Sequence, residues 1–375
     1  MRLVLRLTIP LAVAVALPAA ATVSADDVCD VRGAPRVVAV GDVHGAYDNF
    51  VRVLQMTGLV DDQVRWAGGK AHLVQTGDLL DRGVQTREVM DLMMRLEKEA
   101  KKAGGRVHAL LGNHEVMNML GDLRYVDPGE YEAFRTPRSE RLREDFFDRL
   151  VDLNRDRARS AGEEFDEEAF RARLEEQAPL GFVERTQMLS KDGEYGRWLR
   201  ERPAMARVNG VAFLHGGLSP EVAPLGCEEI NKRIRREITR DFRKTRQDPQ
   251  ASLVAGENGP LWYRGLAKED ETVFAPALEE ILEAVEVRAI VVGHSVTVTG
   301  RIQTRFGGRV VMIDAGMAPA YRGSQAALEI GDAGRMAAVY PDSREAIERQ
   351  AAEALAPGES TSEPEDDRPA AASAP

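Results

Sequence analysis

Six short apolar runs punctuate the chain, and each ends at a glycine-rich or histidine-bearing polar cluster. Residues 36–40 stop at Gly41, residues 71–76 at Gly77 and residues 106–111 at Gly112. Residues 211–214 stop at His215-Gly216-Gly217, residues 289–292 at Gly293, and residues 309–313 at Asp314-Ala315-Gly316. Near-continuous runs of branched and aliphatic residues, without polar alternation, predict strands buried on both faces. Helical patterns lie between the first three: Phe50, Val51 and Leu54 within 48–57, then Met90, Met93, Met94 and Leu96 within 89–100. Strand, helix, strand at this spacing predicts βαβ units and a largely parallel sheet. Residues 326–330 and 336–340 flank Gly331-Asp332-Ala333-Gly334 and predict a closing hairpin.

The stretch 121–202 breaks this rhythm. It is highly charged and carries two helical patterns, one marked by Leu142, Phe146, Leu150 and Leu153 at i, i+4, i+8 and i+11. Asp166 has the character of an N-cap for the other, with Phe165 and Phe170 placed as a hydrophobic staple. We expect a helical insertion inside a domain spanning 26–345. Residues 346–375 are rich in Pro, Ala, Ser and acid, too poor in apolar residues to offset ordering entropy, and are expected to be a disordered tail.

The start of the chain reads as an address. Arg2 and Arg6 precede an apolar run over 7–21, and Val23 and Ala25 put small residues at the −3 and −1 positions before Asp26. This is the pattern of a secretory signal peptide, residues 1–25, cleaved after Ala25. The run is interrupted by Pro10 and Pro18 and is shorter than the ~20 residues a membrane span needs. An exported protein, periplasmic or extracellular and without stable membrane insertion, is therefore expected. In an oxidising compartment the two cysteines, Cys29 and Cys227, are expected to bridge, the alternative being two unrelated thiols.

With 375 residues the chain is long enough for one large α/β domain with insertions, and its net charge of −11 makes it a poor partner for nucleic acid. The chemistry gathers in five clusters. They read Gly41-Asp42-Val43-His44-Gly45, Gly77-Asp78-Leu79-Leu80-Asp81-Arg82-Gly83, Gly112-Asn113-His114-Glu115, His215-Gly216-Gly217 and Gly293-His294-Ser295. Each puts Asp, Asn or His just past a buried strand, where open α/β sheets form their ligand crevice. Four of the six histidines fall here; His72 and His108 lie within strand patterns and read as ordinary core or rim residues. A lone Gly-His-Ser is more often a loop histidine, but five such clusters in order are not. Carboxylate, imidazole and amide oxygen suit Mn, Fe or Zn. The donor set exceeds one tetrahedral site and serves two ions if a carboxylate bridges them, an arrangement that activates water and clamps a phosphoryl group.

In this order the motifs resemble the signature of the phosphoprotein-phosphatase type of calcineurin-like metallophosphoesterases, from about Val37 to Met317. Arg124-Tyr125-Val126, Trp198-Leu199-Arg200 and the Gly259-Pro260-Leu261-Trp262-Tyr263-Arg264-Gly265 segment further resemble the bacterial, Shewanella-like branch. The resemblance implies a four-layer α/β/β/α sandwich, two mixed sheets flanked by helices, and two divalent or trivalent metal ions, with Mn favoured. It implies Asp42, His44 and Asp78 on one ion, and the bridging Asp78 with Asn113, His215 and His294 on the other. His114 matches the general acid, oriented by Asp81, and Arg82 the phosphate clamp, for which its planar fork is suited. Arg264 is the candidate for a second phosphate-binding arginine, with Arg185 as the alternative. The implied reaction is hydrolysis of a phosphate monoester, on a phosphorylated protein (Ser/Thr or Tyr) or a small phosphoester, by direct attack of a metal-bridging hydroxide. The alternatives are a nucleotide or dinucleoside-polyphosphate hydrolase of the same fold, and a non-catalytic scaffold.

Overall fold

The computed structural model describes residues 28–331 and 334–348; the expected signal peptide and the expected tail beyond residue 348 lie outside them. The first apolar runs and the helical patterns between them fold as β1 (Val37–Val40), α1 (Tyr47–Met56), β2 (His72–Gln75), α2 (Thr86–Lys102) and β3 (Arg106–Ala109). Helix α3 (Asn113–Leu120) starts at the third cluster. A 3₁₀ turn (Pro128–Phe134), α4 (Ser139–Ala161), α5 (Glu167–Gln177), α6 (Phe182–Leu189) and α7 (Glu194–Arg200) follow. The second half holds β4 (Met205–Val208), β5 (Val211–Leu214), α8 (Gly226–Glu237), α9 (Phe242–Gln247), α10 (Gly265–Lys268) and α11 (Glu271–Ala284). It ends with β6 (Ala289–Val292), β7 (Gln303–Arg305), β8 (Val310–Met312), β9 (Ala327–Ile330), β10 (Met336–Val339) and β11 (Arg344–Ile347).

The strands form two mixed sheets, β11-β10-β9-β1-β2-β3 and β4-β5-β6-β8-β7. β1, β2 and β3 run parallel, as do β5, β6 and β8, while the hairpin β9-β10 closes antiparallel onto β1. Alternation along each strand feeds two apolar interiors. Val37, Ala39 and Val74 meet Val211, Phe213, Val291 and Val311 between the sheets. Val38 and Leu73 face Phe50, Leu54 and Met93 of α1 and α2, while Ala212, Leu214 and Ile290 face Ile230, Ile234 and Ile281 of α8 and α11. Both faces of each central strand are thus apolar, and each fully buried aliphatic side chain contributes roughly 1.5–3 kcal/mol. The result is the four-layer helix–sheet–sheet–helix sandwich.

Cys29 and Cys227 are joined by a disulfide across a sequence separation of 198 residues. It holds the N-terminal arm beside β4, where Val31 pairs with Val208. In the insertion, Asp166 caps α5 by accepting from Ala169 N–H, and the rings of Phe165 and Phe170 meet at 5.4 Å. Three expectations need correction. The insertion holds four α-helices rather than two. On α4 the fully buried apolar residues are Phe147 and Val151; Phe147 packs with Leu174 and Ala178, with the expected Phe146 and Leu150 half-buried against them, whereas Leu153 is 50% exposed. The expected stripe is packed at Phe146 and Leu150, widens onto the adjacent Phe147 and Val151, and ends before Leu153. Last, β11 carries the ordered domain to Ile347, past the expected boundary at 345, because its backbone pairs with β10.

Candidate active site

The five clusters converge at the C-terminal ends of the parallel strands of both sheets. Asp42, His44, Asp78, Arg82, Asn113, His114, Arg264 and His294 line one cavity of about 570 Å³, and His215 lies wholly buried among them. The backbone there is held against its preference. His44, Asp78, Asp81, Arg82 and His294 all have left-handed φ values, 48–68°. Such residues persist only where the surroundings over-determine them.

Glu115 is one source of that control. Its buried carboxylate accepts from the backbone N–H groups of Gly112 (2.7 Å), Asp78 (2.9 Å), Leu79 (2.8 Å) and Leu80 (3.3 Å), knitting the second cluster to the third. Asp78 Oδ1 then accepts from His114 N–H at 3.0 Å, and both Asp42 oxygens accept from His294 N–H at 3.1 Å. Gly112 and Gly293 leave room for these carboxylates. A Cβ on either would stand 2.1 Å from Asp78 Oδ1 or 2.4 Å from Asp42 Oδ1.

The imidazoles are oriented from behind. His44 donates from Nδ1 to the Leu80 carbonyl (2.9 Å), which turns its Nε2 lone pair toward Asp78 Oδ2 at 3.5 Å. His215 donates from Nδ1 to the Thr76 carbonyl (3.0 Å), which turns Nε2 toward Asp78 Oδ2 (3.3 Å) and Asn113 Oδ1 (2.8 Å). His294 Nε2 is buried without a hydrogen-bond partner. Asp78, His215 and His294 offer donor atoms within 4.8 Å of one another, as do His44, Asp78 and His114. Lone pairs thus face carboxylate and amide oxygens with no proton between them, which is the arrangement a cation resolves. The residues present fit a metal-ion pair.

Electrostatics agree. Burial, with His215 and Arg264 nearby, pushes His294 down to about 2, and burial pushes His44 down to about 4, so both stay neutral, the form that can ligate a metal. Burial and the neighbouring Asp314 and Asp78 push Asp42 well up; such repulsion calls for compensating positive charge. His114 differs. Its Nε2 lies 3.8 Å from Asp78 Oδ2, near enough to serve as a ligand, but its Nδ1 faces a carboxylate, Asp81 Oδ2, at 2.6 Å rather than a carbonyl. Burial pulls its pKa down, and Asp78 and Asp81 more than reverse this, raising it.

Arg82 is stacked between two tyrosines, its guanidinium carbon 4.7 Å from the Tyr125 ring centre and 5.1 Å from that of Tyr321. Arg264 is held at the rim by the His294 carbonyl and Ser295 Oγ, both at 3.0 Å. Arg185 is no lining residue. It is 1% exposed and turned away from the cavity toward Glu130, which corrects its candidacy as a phosphate ligand. Sequence reasoning missed Asp314, which ends the run 309–313 in the same strand-end position as the other clusters and lines the cavity beside Asp42. It also missed Tyr321, which no local spacing ties to Arg82.

Two sheets bearing oxygen and nitrogen donors at their joint C-terminal edge, with arginines at the rim, define a metallophosphoesterase, a metal-dependent hydrolase of phosphate esters. The chain belongs to the calcineurin-like phosphoesterase family, which residues 35–298 match. It is 34% identical to an uncharacterized protein of Schizosaccharomyces pombe, over 78% of this chain and 76% of that one. It is 30% identical to Shewanella-like protein phosphatase 2 of Arabidopsis thaliana, over 75% and 71%. Among solved structures, the cold-active protein-tyrosine phosphatase of a psychrophilic Shewanella species superposes with a TM-score of 0.64 at 29% identity, covering 85% of this chain and 82% of that one.

Proposed function

We propose that the protein is an exported phosphoprotein phosphatase of the Shewanella-like branch, acting on phosphate monoesters at this cavity. The likeness to a Shewanella-like protein phosphatase and to a protein-tyrosine phosphatase supports a protein substrate over a nucleotide. Asp42, His44 and Asp78 would hold one ion, and Asp78, Asn113, His215 and His294 the other. When bound, the pair, manganese in our reading, supplies Lewis-acid charge and lowers the pKa of water toward neutrality.

The chain's own residues do the rest. Arg82, fixed between Tyr125 and Tyr321, presents its fork to two phosphoryl oxygens, and Arg264 neutralises a third. His114 gives the proton on Nε2 to the leaving oxygen, and Asp81 stabilises the imidazolium through Nδ1. The carrying observation is the unequal backing of three imidazoles: His44 and His215 lean on carbonyls, His114 on a carboxylate. The test is a panel of phospho-Ser, phospho-Thr and phospho-Tyr peptides beside nucleotides and dinucleoside polyphosphates, with metal-reconstituted wild type and His114→Asn. We expect peptides to be preferred and His114→Asn to lose ~10²–10⁴ in turnover on esters with poor leaving groups. Preference for nucleotides, or wild-type turnover of an alkyl phosphate by the variant, overturns the reading.

A further inference from the structure

We infer that Arg185 and Glu130, both outside the cavity, are positioning residues for His114 that act through Asp81. The inference rests on His114 being the proton donor, as proposed above. Four ionisable side chains stand in a row. Glu130 Oε1 accepts from Arg185 Nε at 2.5 Å, Arg185 Nη2 lies 3.6 Å from Asp81 Oδ1, and Asp81 Oδ2 meets His114 Nδ1 at 2.6 Å. Glu130, Arg185 and Asp81 are all 0–1% exposed. Burying an arginine and two carboxylates costs solvation that apolar side chains of similar volume would avoid, so stability alone is a weak reason for this row.

The row divides the work between the two oxygens of Asp81. Oδ1 accepts from Asn118 Nδ2 at 2.9 Å and faces the arginine, which leaves Oδ2 for the imidazole. With one oxygen anchored, the carboxylate plane cannot turn freely, and the ring of His114 is fixed with Nε2 toward the cavity. Glu130 in turn fixes the guanidinium by holding its Nε. Both come from the insertion, Glu130 from the 3₁₀ turn and Arg185 from α6. The helical insertion therefore braces the proton donor from behind.

The test compares wild type, Arg185→Gln, Arg185→Lys and His114→Asn on aryl phosphates of graded leaving-group acidity and on one alkyl phosphate. Arg185→Gln is expected to lower kcat by ~10–10² on the alkyl ester, with little loss on the most activated aryl ester and little change in KM. Arg185→Lys should recover part of the loss. Arg185→Gln placed on His114→Asn should cost nothing further, because the residue it serves is gone. If Arg185→Gln alone fails to fold, the paired variant Glu130→Gln with Arg185→Gln, which leaves neither partner of that contact unmatched, carries the same comparisons. Equal loss on every ester, or a further loss of the same size on His114→Asn, overturns the inference while leaving His114 as donor. A His114→Asn variant without leaving-group dependence instead removes the reading on which the inference stands.

Discussion

A Cβ added to Gly112 would stand 2.1 Å from Oδ1 of Asp78. The backbone of Gly112 has φ −104°, a value any residue adopts, so this position is glycine for space alone. The same Cβ would stand 2.3 Å from the Asp78 backbone nitrogen, so Gly112→Ala should displace both the carboxylate that the two groups of metal-fitting donors share and the backbone that carries it. We expect the variant to be less stable and to lose bound metal, as Asp78→Asn should, read by elemental analysis after dialysis on the fraction that circular dichroism shows to be folded. Wild-type metal content in either variant would show that Asp78 does not bridge.

Glu130 links stability to pH in a direction opposite to most acidic residues. Burial pushes its pKa up to about 7, against the pull of Arg185. A carboxyl raised in the folded state holds its proton more tightly there than in the unfolded chain. Its contribution to stability is complete below its unfolded value of 4.5 and is lost as the pH rises through about 7. The change is roughly 3 kcal/mol over that window. Glu130→Gln stays neutral throughout and should flatten that fall relative to wild type, measured by urea denaturation between pH 5 and about 7.5. An unchanged slope would place the proton elsewhere.

The Cys29–Cys227 bridge spans a sequence separation of 198 residues, so in the unfolded chain it closes a very long loop. Removing it by Cys227→Ser should cost about 2–5 kcal/mol. Denaturant midpoints of wild type with and without reductant, and of the variant, check this. Coincident midpoints would mean that the arm is held by its backbone pairing with β4 and by the Arg207 and Asn209 side chains without help from the disulfide.

Much of this architecture is written along the chain, for a definable reason. Strands β1, β2, β5, β6 and β8 are packed on both faces, so they leave continuous apolar runs that end where the sheet ends. β4 and β7 are edge strands, and Arg207 in the one and Gln303 and Arg305 in the other break the apolar signal. The metal-fitting residues are legible because each cluster is local, a few residues after its strand. What is not legible depends on distant chain meeting. Tyr321 reaches Arg82 from far along the sequence, and Arg185 finds Glu130 across 55 residues. No periodicity records such a meeting. Asp314 is a different case: its strand-end position was visible, but no histidine or asparagine stood beside it to draw notice.

The donors rise from both sheets, Asp42, His44, Asp78 and Asn113 from the ends of β1, β2 and β3, His215, His294 and Asp314 from those of β5, β6 and β8. A cation held by Asp78 and His215 would therefore be a rivet through the middle of the sandwich as well as a tool at its edge. Each occupied position adds to the work of pulling the halves apart, by an amount that grows with the logarithm of free metal over its dissociation constant. Readiness to react and resistance to unravelling then rise and fall together, and the scarcity that idles the enzyme also leaves it easier prey for proteases.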